Sequence, residues 1–153
     1  MTSISALNHI HKTGLFGNHE NKNDENLLKV SEIKNLLIVQ IVQYKNSTVS
    51  FENIDIDSLK LKNEPQSVVS NNDTRILWNG PKNWLLVSTK KDLLKNISEV
   101  FKETDFAVTD LSHSRAIIEI EGQDVKEVLK KGCPFNFKLS RLKFSNKTVE
   151  FLY

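Results

Sequence analysis

Apolar and polar positions along this chain repeat with two periods, and the changes between them mark its elements. Between Asp110 and Phe137, Ala116, Ile118 and Ile120 alternate with Ile117, Glu119 and Glu121, the period of two of a half-buried strand. Gly122 ends that strand. From Gln123 the period lengthens: Val125, Val128 and Leu129 fall at i, i+3 and i+4 and predict one apolar helix face, better buried than Lys126 or Lys130. Lys130 and Lys131 put positive charge in the last turn, Gly132 stands where a left-handed cap is wanted, and Pro134 forbids further helix.

The same reading applies upstream. Leu36–Tyr44 is β-branched and apolar, as a central strand is. Phe51–Leu61 fits a short helix or a distorted strand, and the helix is the expectation carried forward. Asn63–Asp73, polar and broken by Pro65, predicts a loop. Arg75–Trp78 and Trp84–Ser88 predict a hairpin around the five turn formers Asn79–Asn83, with apolar residues on both strand faces. Thr89–Glu103 predicts a helix: Thr89 and Asp92 have capping-box spacing, and Leu93, Leu94, Ile97, Val100 and Phe101 form its stripe. Phe106–Val108 is the next strand.

Strand, helix, hairpin, helix, strand is the βαββαβ order of a ferredoxin-like module. The expected fold class is therefore α+β: that module extended by a further strand and helix, with a mixed or antiparallel sheet in one layer and helices packed on it. Residues 1–32 are polar, with the run NHENKNDEN, and predict an N-terminal arm, flexible or ordered by a partner, whose Leu7, Ile10, Leu15 and Phe16 are candidates for docking. A single α+β domain over 33–153 follows.

Composition narrows the function classes. The chain has 153 residues, 39% hydrophobic and 26% charged, with a net charge of +2. That is enough for one core and offers no field that calls for nucleic acid or an anionic membrane. No apolar run approaches the ~18–20 residues of a membrane span. The start, MTSISALNHIHK, lacks the features of a secretory signal, and a single cysteine forms no internal disulfide, so the expected location is the cytoplasm.

Candidate chemistry is sparse. His9 and His11 lack the further ligands a metal needs. Asp110, Ser112, His113 and Ser114 have the residue types of a hydrolase triad, but neighbours in a turn bond the backbone instead. Cys133 sits at a helix C-terminus, where the dipole opposes a thiolate. Glu119 and Glu121 share a strand face and read as solvated. Trp78 and Trp84 offer a stacking platform for a pterin, flavin or base, but their apolar neighbours favour core or interface packing. No Gly-rich phosphate motif follows a strand. The expectation is no catalytic, cofactor or metal residue in this chain.

Two motifs carry a resemblance. Ser112, Arg115, Gly122, Leu129, Gly132, Cys133 and Pro134 form the series S-x-x-R-x6-G-x6-L-x-x-G-C-P, and Leu77–Leu85, with Trp78, Gly80, Pro81 and Trp84, reads LW-x-GP-x-x-WL. In this order they resemble the gamma subunit of the heterotetrameric sarcosine oxidases, over roughly Arg75 to Phe137. The resemblance implies a non-catalytic companion to larger subunits that carry FAD, FMN, NAD and tetrahydrofolate, in a complex that demethylates sarcosine to glycine and passes the one-carbon unit to tetrahydrofolate. DLSH with a following strand, glycine and helix also resembles the folate-binding aminomethyltransferases, which implies the alternative of a stand-alone folate protein. Members of the first family usually continue with further strands beyond a run such as TVEFLY, so a fragment or shortened member is expected. Arg115 opens an apolar strand beside a polar turn, and both a partner contact and an internal pairing with Asp110 or Glu119 fit it.

Overall fold

The computed structural model describes residues 7–10, 12–17 and 27–132, and the backbone of 148–152. It is an α+β protein, with antiparallel sheets and two α-helices among the described residues. The chain forms two compact units, residues 35–114 and residues 1–34 with 115–153. This differs from an arm followed by one domain with one sheet, because each unit has a sheet of its own.

The central unit is built on β3 (Leu37–Gln43), which pairs with β8 (Asn83–Ser88) on one side and β9 (Phe106–Asp110) on the other. Beyond β8 lie β7 (Thr74–Gly80) and the edge strand β6 (Val68–Ser70), giving the order β6-β7-β8-β3-β9. Register puts Leu37, Val39 and Ile41 beside Leu86, Trp84 and Ile76 on one face, and these are buried. Helix α1 (Leu93–Val100) completes this core with Leu93, Ile97 and the following Phe101, which meets Phe106 edge-on at 4.9 Å.

Several expectations are corrected in this unit. Phe51–Leu61 is a 3-10 turn (Phe51–Asn53) and a hairpin of β4 (Asp55–Ile56) and β5 (Leu59–Lys60), in place of a helix. Asp57 and Ser58 turn that hairpin with positive φ of 50° and 64°, a conformation that short polar residues tolerate. The βαββαβ order therefore lacks its first helix. The 63–73 loop contains β6. The 79–83 loop shrinks to Pro81 and Lys82, since a bulge between Trp78 and Gly80 and the positive φ of Gly80 and Lys82 close the hairpin early. Helix α1 is shorter than Thr89–Glu103. Thr89 spends its hydroxyl on Asp73 at 3.3 Å rather than on a cap, and Val100 is exposed.

The second unit has the sheet β1-β2-β10-β11, formed by Gly14–Phe16, Leu28–Ile33, Ile117–Glu121 and Thr148–Leu152. Segments expected in the N-terminal arm are thus sheet strands. The physical reason is pairing over a long distance: Val30 lies opposite Ile120 and Ser31 opposite Glu119. One face is polar, where Ser31 donates to Glu119 at 3.2 Å and Lys29 pairs with Glu121 at 3.2 Å. Both glutamates are half-buried and bonded across the sheet, where a solvated face was expected. Helix α2 (Val125–Gly132) buries Val125 and half-buries Leu129, while Val128 is exposed, contrary to the expected stripe. An eight-residue helix presents only about two turns, enough to seat one end of the stripe. Gly132 closes α2 without a positive φ, so the expected left-handed cap is not at that residue. Cys133 and Pro134 lie outside the described residues.

Candidate functional site

The hairpin of β7 and β8 brings Trp78 and Trp84 directly opposite one another. Trp84 is fully buried, tilted against Phe51 with ring centroids 5.1 Å apart, and its Nε1 donates to the Lys62 carbonyl at 2.8 Å. Trp78 is half-buried and donates Nε1 to Asn63 Oδ1 at 3.3 Å, an oxygen that also accepts from the Lys82 amide at 2.8 Å. Both indole N–H groups are therefore committed to the strand-to-loop segment at 62–63. This is how a packed tryptophan satisfies its polar edge, and it does not leave two open faces for a stacked ring. Pro81 and Gly80 serve the turn between them.

The DLSH turn is likewise internal. Asp110 Oδ1 accepts from the Ser112 amide at 2.9 Å and from its hydroxyl at 2.5 Å. The Ser112 Oγ in turn accepts from the Ile38 amide at 3.0 Å, tying this turn to the start of β3. With its proton on Asp110 and its lone pair on a backbone N–H, this hydroxyl works as a structural clamp. Ser114 donates to the Leu111 carbonyl at 3.2 Å. His113 is exposed and makes no hydrogen bond with a described residue, so the three types needed for a triad do not meet.

Arg115 is exposed and, among the described residues, has neither of its expected internal partners: Asp110 is bound to Ser112 and Glu119 to Ser31. Gly122 adopts φ +146°, and a β-carbon added there would meet the Leu28 side chain and the Leu27 carbonyl oxygen. Among the described residues, no group of three or more His, Cys, Asp or Glu side chains is placed to hold a metal ion. None of the helices described is long and apolar enough to cross a membrane.

One polar cluster had no signal in the sequence beyond scattered turn formers. Lys90 Nζ lies 2.8 Å from Asp57 Oδ1 and 3.3 Å from Asp73 Oδ2. Asp57 also accepts from Thr74 Oγ1 at 2.6 Å and from Asn71 Nδ2 at 3.0 Å, and Thr74 shares a 2.8 Å hydrogen bond with buried Ser88. The cluster pins the β4–β5 turn to β7 and to the entry of α1. Lys90, then Thr74 and Asn71, hold the Asp57 carboxyl down at about 2, while Asp57 and then Asp73 raise the Lys90 ammonium above its ordinary value. A depressed carboxylate stabilises the fold above its unfolded pKa and loses that effect as pH falls through the folded one. Wild-type protein is therefore expected to lose melting temperature from about pH 4 down to about pH 2 more steeply than Asp57→Asn. Thermal melts of both proteins across that range check it, and parallel curves would remove Asp57 as the linked group.

The fold and these residues define a small α+β protein in which the motif side chains Trp78, Trp84 and Ser112 hold a hairpin and a turn in place. A solved chain of the heterotetrameric sarcosine oxidase from Corynebacterium sp. U-96, in complex with pyrrole 2-carboxylate, shares this fold with a TM-score of 0.63 and 23% sequence identity. The match covers 73% of the present chain and 58% of that one, so the chain spans less than two thirds of its structural neighbour. No protein-family model matches the sequence, and no curated protein matches it.

Proposed function

We propose that this chain is a non-catalytic, gamma-type subunit of a heterotetrameric sarcosine oxidase, located in the cytoplasm and acting by docking on larger subunits. Those subunits would hold FAD, FMN, NAD and tetrahydrofolate, oxidise sarcosine to glycine and pass the one-carbon unit to folate. The observation that carries the reading is the coincidence of two independent likenesses. The motif residues of the gamma family, including Trp84, Ser112 and Gly122, occur in order, and the folded chain is similar to a chain of that enzyme. The internal engagement of Trp78, Trp84 and Ser112 supports a companion role, since these motif side chains hold the fold. Co-purification of a tagged chain with larger, flavin-coloured, sarcosine-oxidising subunits tests the proposal. Saturable binding of tetrahydrofolate by the isolated chain, with no larger partner, would favour the stand-alone folate protein instead.

Arg115 provides a sharper test. With Asp110 and Glu119 engaged elsewhere, its guanidinium is available to a partner carboxylate. Arg115→Ala is expected to leave the melting temperature of the isolated chain within a few degrees and to weaken association by about 2 kcal/mol or more, the hot-spot range. A mutant that melts early yet associates with normal affinity would refute the contact.

A further inference from the structure

Asn79–Gly80 is the one Asn-Gly step in the chain. An asparagine carries an electrophile, its side-chain amide carbon, within reach of the backbone nitrogen that follows it. The two can close a five-membered ring, and a following glycine has no β-carbon to obstruct the approach. What the fold does with these two groups decides whether the ring forms.

Asn79 lies where β7 slips its register. Trp78 faces Trp84 and Gly80 faces Asn83, so Asn79 is the extra residue of a bulge and has no residue opposite it. Its side chain is exposed and makes no hydrogen bond with a described residue. Three nearby asparagines are held instead. Asn63 Oδ1 accepts from the Trp78 indole and the Lys82 amide, and Asn71 Oδ1 accepts from the Asp73 and Thr74 amides. Asn83 Oδ1 accepts from Gln40. Beyond Asn79, only the Gly80–Asn83 pair and the turn residues Pro81 and Lys82 close the hairpin. Freeing the Gly80 amide therefore opens one terminal pair, a local event, and leaves the core at Trp84 closed.

We propose that Asn79 is a site of spontaneous modification in the folded protein, converted to aspartate and isoaspartate through a cyclic imide with Gly80. Hydroxide takes the Gly80 amide proton and the nitrogen attacks Asn79 Cγ. The N–Cγ bond forms, the Cγ–Nδ2 bond breaks, and ammonia leaves with a proton from water. Water then opens the imide without any change of oxidation state. Breaking the new N–Cγ bond gives aspartate. Breaking the bond from that nitrogen to the Asn79 main-chain carbonyl carbon gives isoaspartate, whose main chain is one methylene longer. Both products place a carboxylate at the bulge. Isoaspartate also lengthens β7 beside Trp78, whose indole reaches Asn63 at 3.3 Å. The assignment is independent of the subunit reading.

The experiment incubates the folded full-length wild type and Asn79→Gln in warm, mildly alkaline buffer and follows both by peptide mapping with mass spectrometry. Urea-unfolded wild type, treated alike, gives the rate without the fold. In the folded wild type, the peptide holding Asn79 is expected to gain a single mass unit and to divide into two chromatographic forms. One of these should accept a methyl group from an isoaspartate-specific methyltransferase. Asn79 should convert about tenfold faster than Asn46 and Asn72, which are exposed in the same chain but precede Ser47 and Asp73. Asn79→Gln should stay unchanged at that position, because its longer side chain would have to close a six-membered ring. An Asn79 that stays intact in the folded chain while the unfolded chain converts shows that the hairpin closes the site, and overturns the proposal. Conversion of Asn46 or Asn72 at an equal rate overturns it too, since exposure alone would then be the cause.

Discussion

Trp84→Ala is expected to destabilise the isolated chain by about 3–5 kcal/mol, the range for truncating a large buried aromatic residue. Trp84 has no exposed surface and belongs to the same apolar cluster as Ile41, Leu86 and Ile76. Removing the indole would empty the largest fully buried side chain of the core and strand Phe51, which rests against it. It would also remove the shorter of two hydrogen bonds to the Lys62 carbonyl, leaving only that from Ser67 Oγ at 3.3 Å. Since small domains are stable by only about 5–15 kcal/mol, this one change should consume about a fifth of that or more. Trp84→Phe refills part of the volume but not the hydrogen bond, and should fall between the two. Urea unfolding followed by circular dichroism measures the series. An alanine variant as stable as wild type would mean that the indole is not a core residue and would restore the stacking-platform reading.

Gly122→Ala should cost about 2–3 kcal/mol for a different reason, backbone strain combined with a close approach. At φ +146° an L-residue is strained, and an added β-carbon would lie 2.6 Å from Leu28 Cδ2 and 3.0 Å from the Leu27 carbonyl oxygen. The leucine methyl can rotate away, but the carbonyl belongs to the entry of β2 and moves only with it. The Gly122→Ala, Leu28→Ala double variant therefore should recover only part of the loss attributable to Gly122→Ala, which a double-mutant cycle by chemical denaturation can separate. Full recovery would assign the whole cost to the side-chain clash and none to the backbone.

Gly122 also shows how far local reading reaches. That a glycine ends the Ile117–Glu121 strand was legible from the change of period around it. That it must be glycine was not, because the atoms that exclude a β-carbon lie more than ninety residues earlier, at Leu27 and Leu28. The DLSH turn divides the same way. Asp110 and Ser112 were recognisable as turn residues, whereas the Ile38 amide that Ser112 also receives comes from another strand. The Asp57–Lys90–Asp73 cluster was invisible, since its members belong to three turns that nothing in the sequence relates.

What the sequence determined by itself are the elements whose periodicity is strong and whose partners are near. The apolar run of β3, the β7–β8 hairpin, the stripe Leu93–Ile97–Phe101 and the buried Val125 need only local spacing to be read, because side-chain direction follows from backbone period alone. Tertiary structure decided which elements share a sheet. β2 joined β10, although composition placed most of its residues in a polar arm, because a strand with alternating Leu28, Val30 and Lys29, Ser31 becomes stable only when a distant edge satisfies its backbone. It also decided where a stripe stops being buried. Val100 and Val128 keep helical spacing yet face solvent, since burial depends on what lies opposite and periodicity describes only the helix itself.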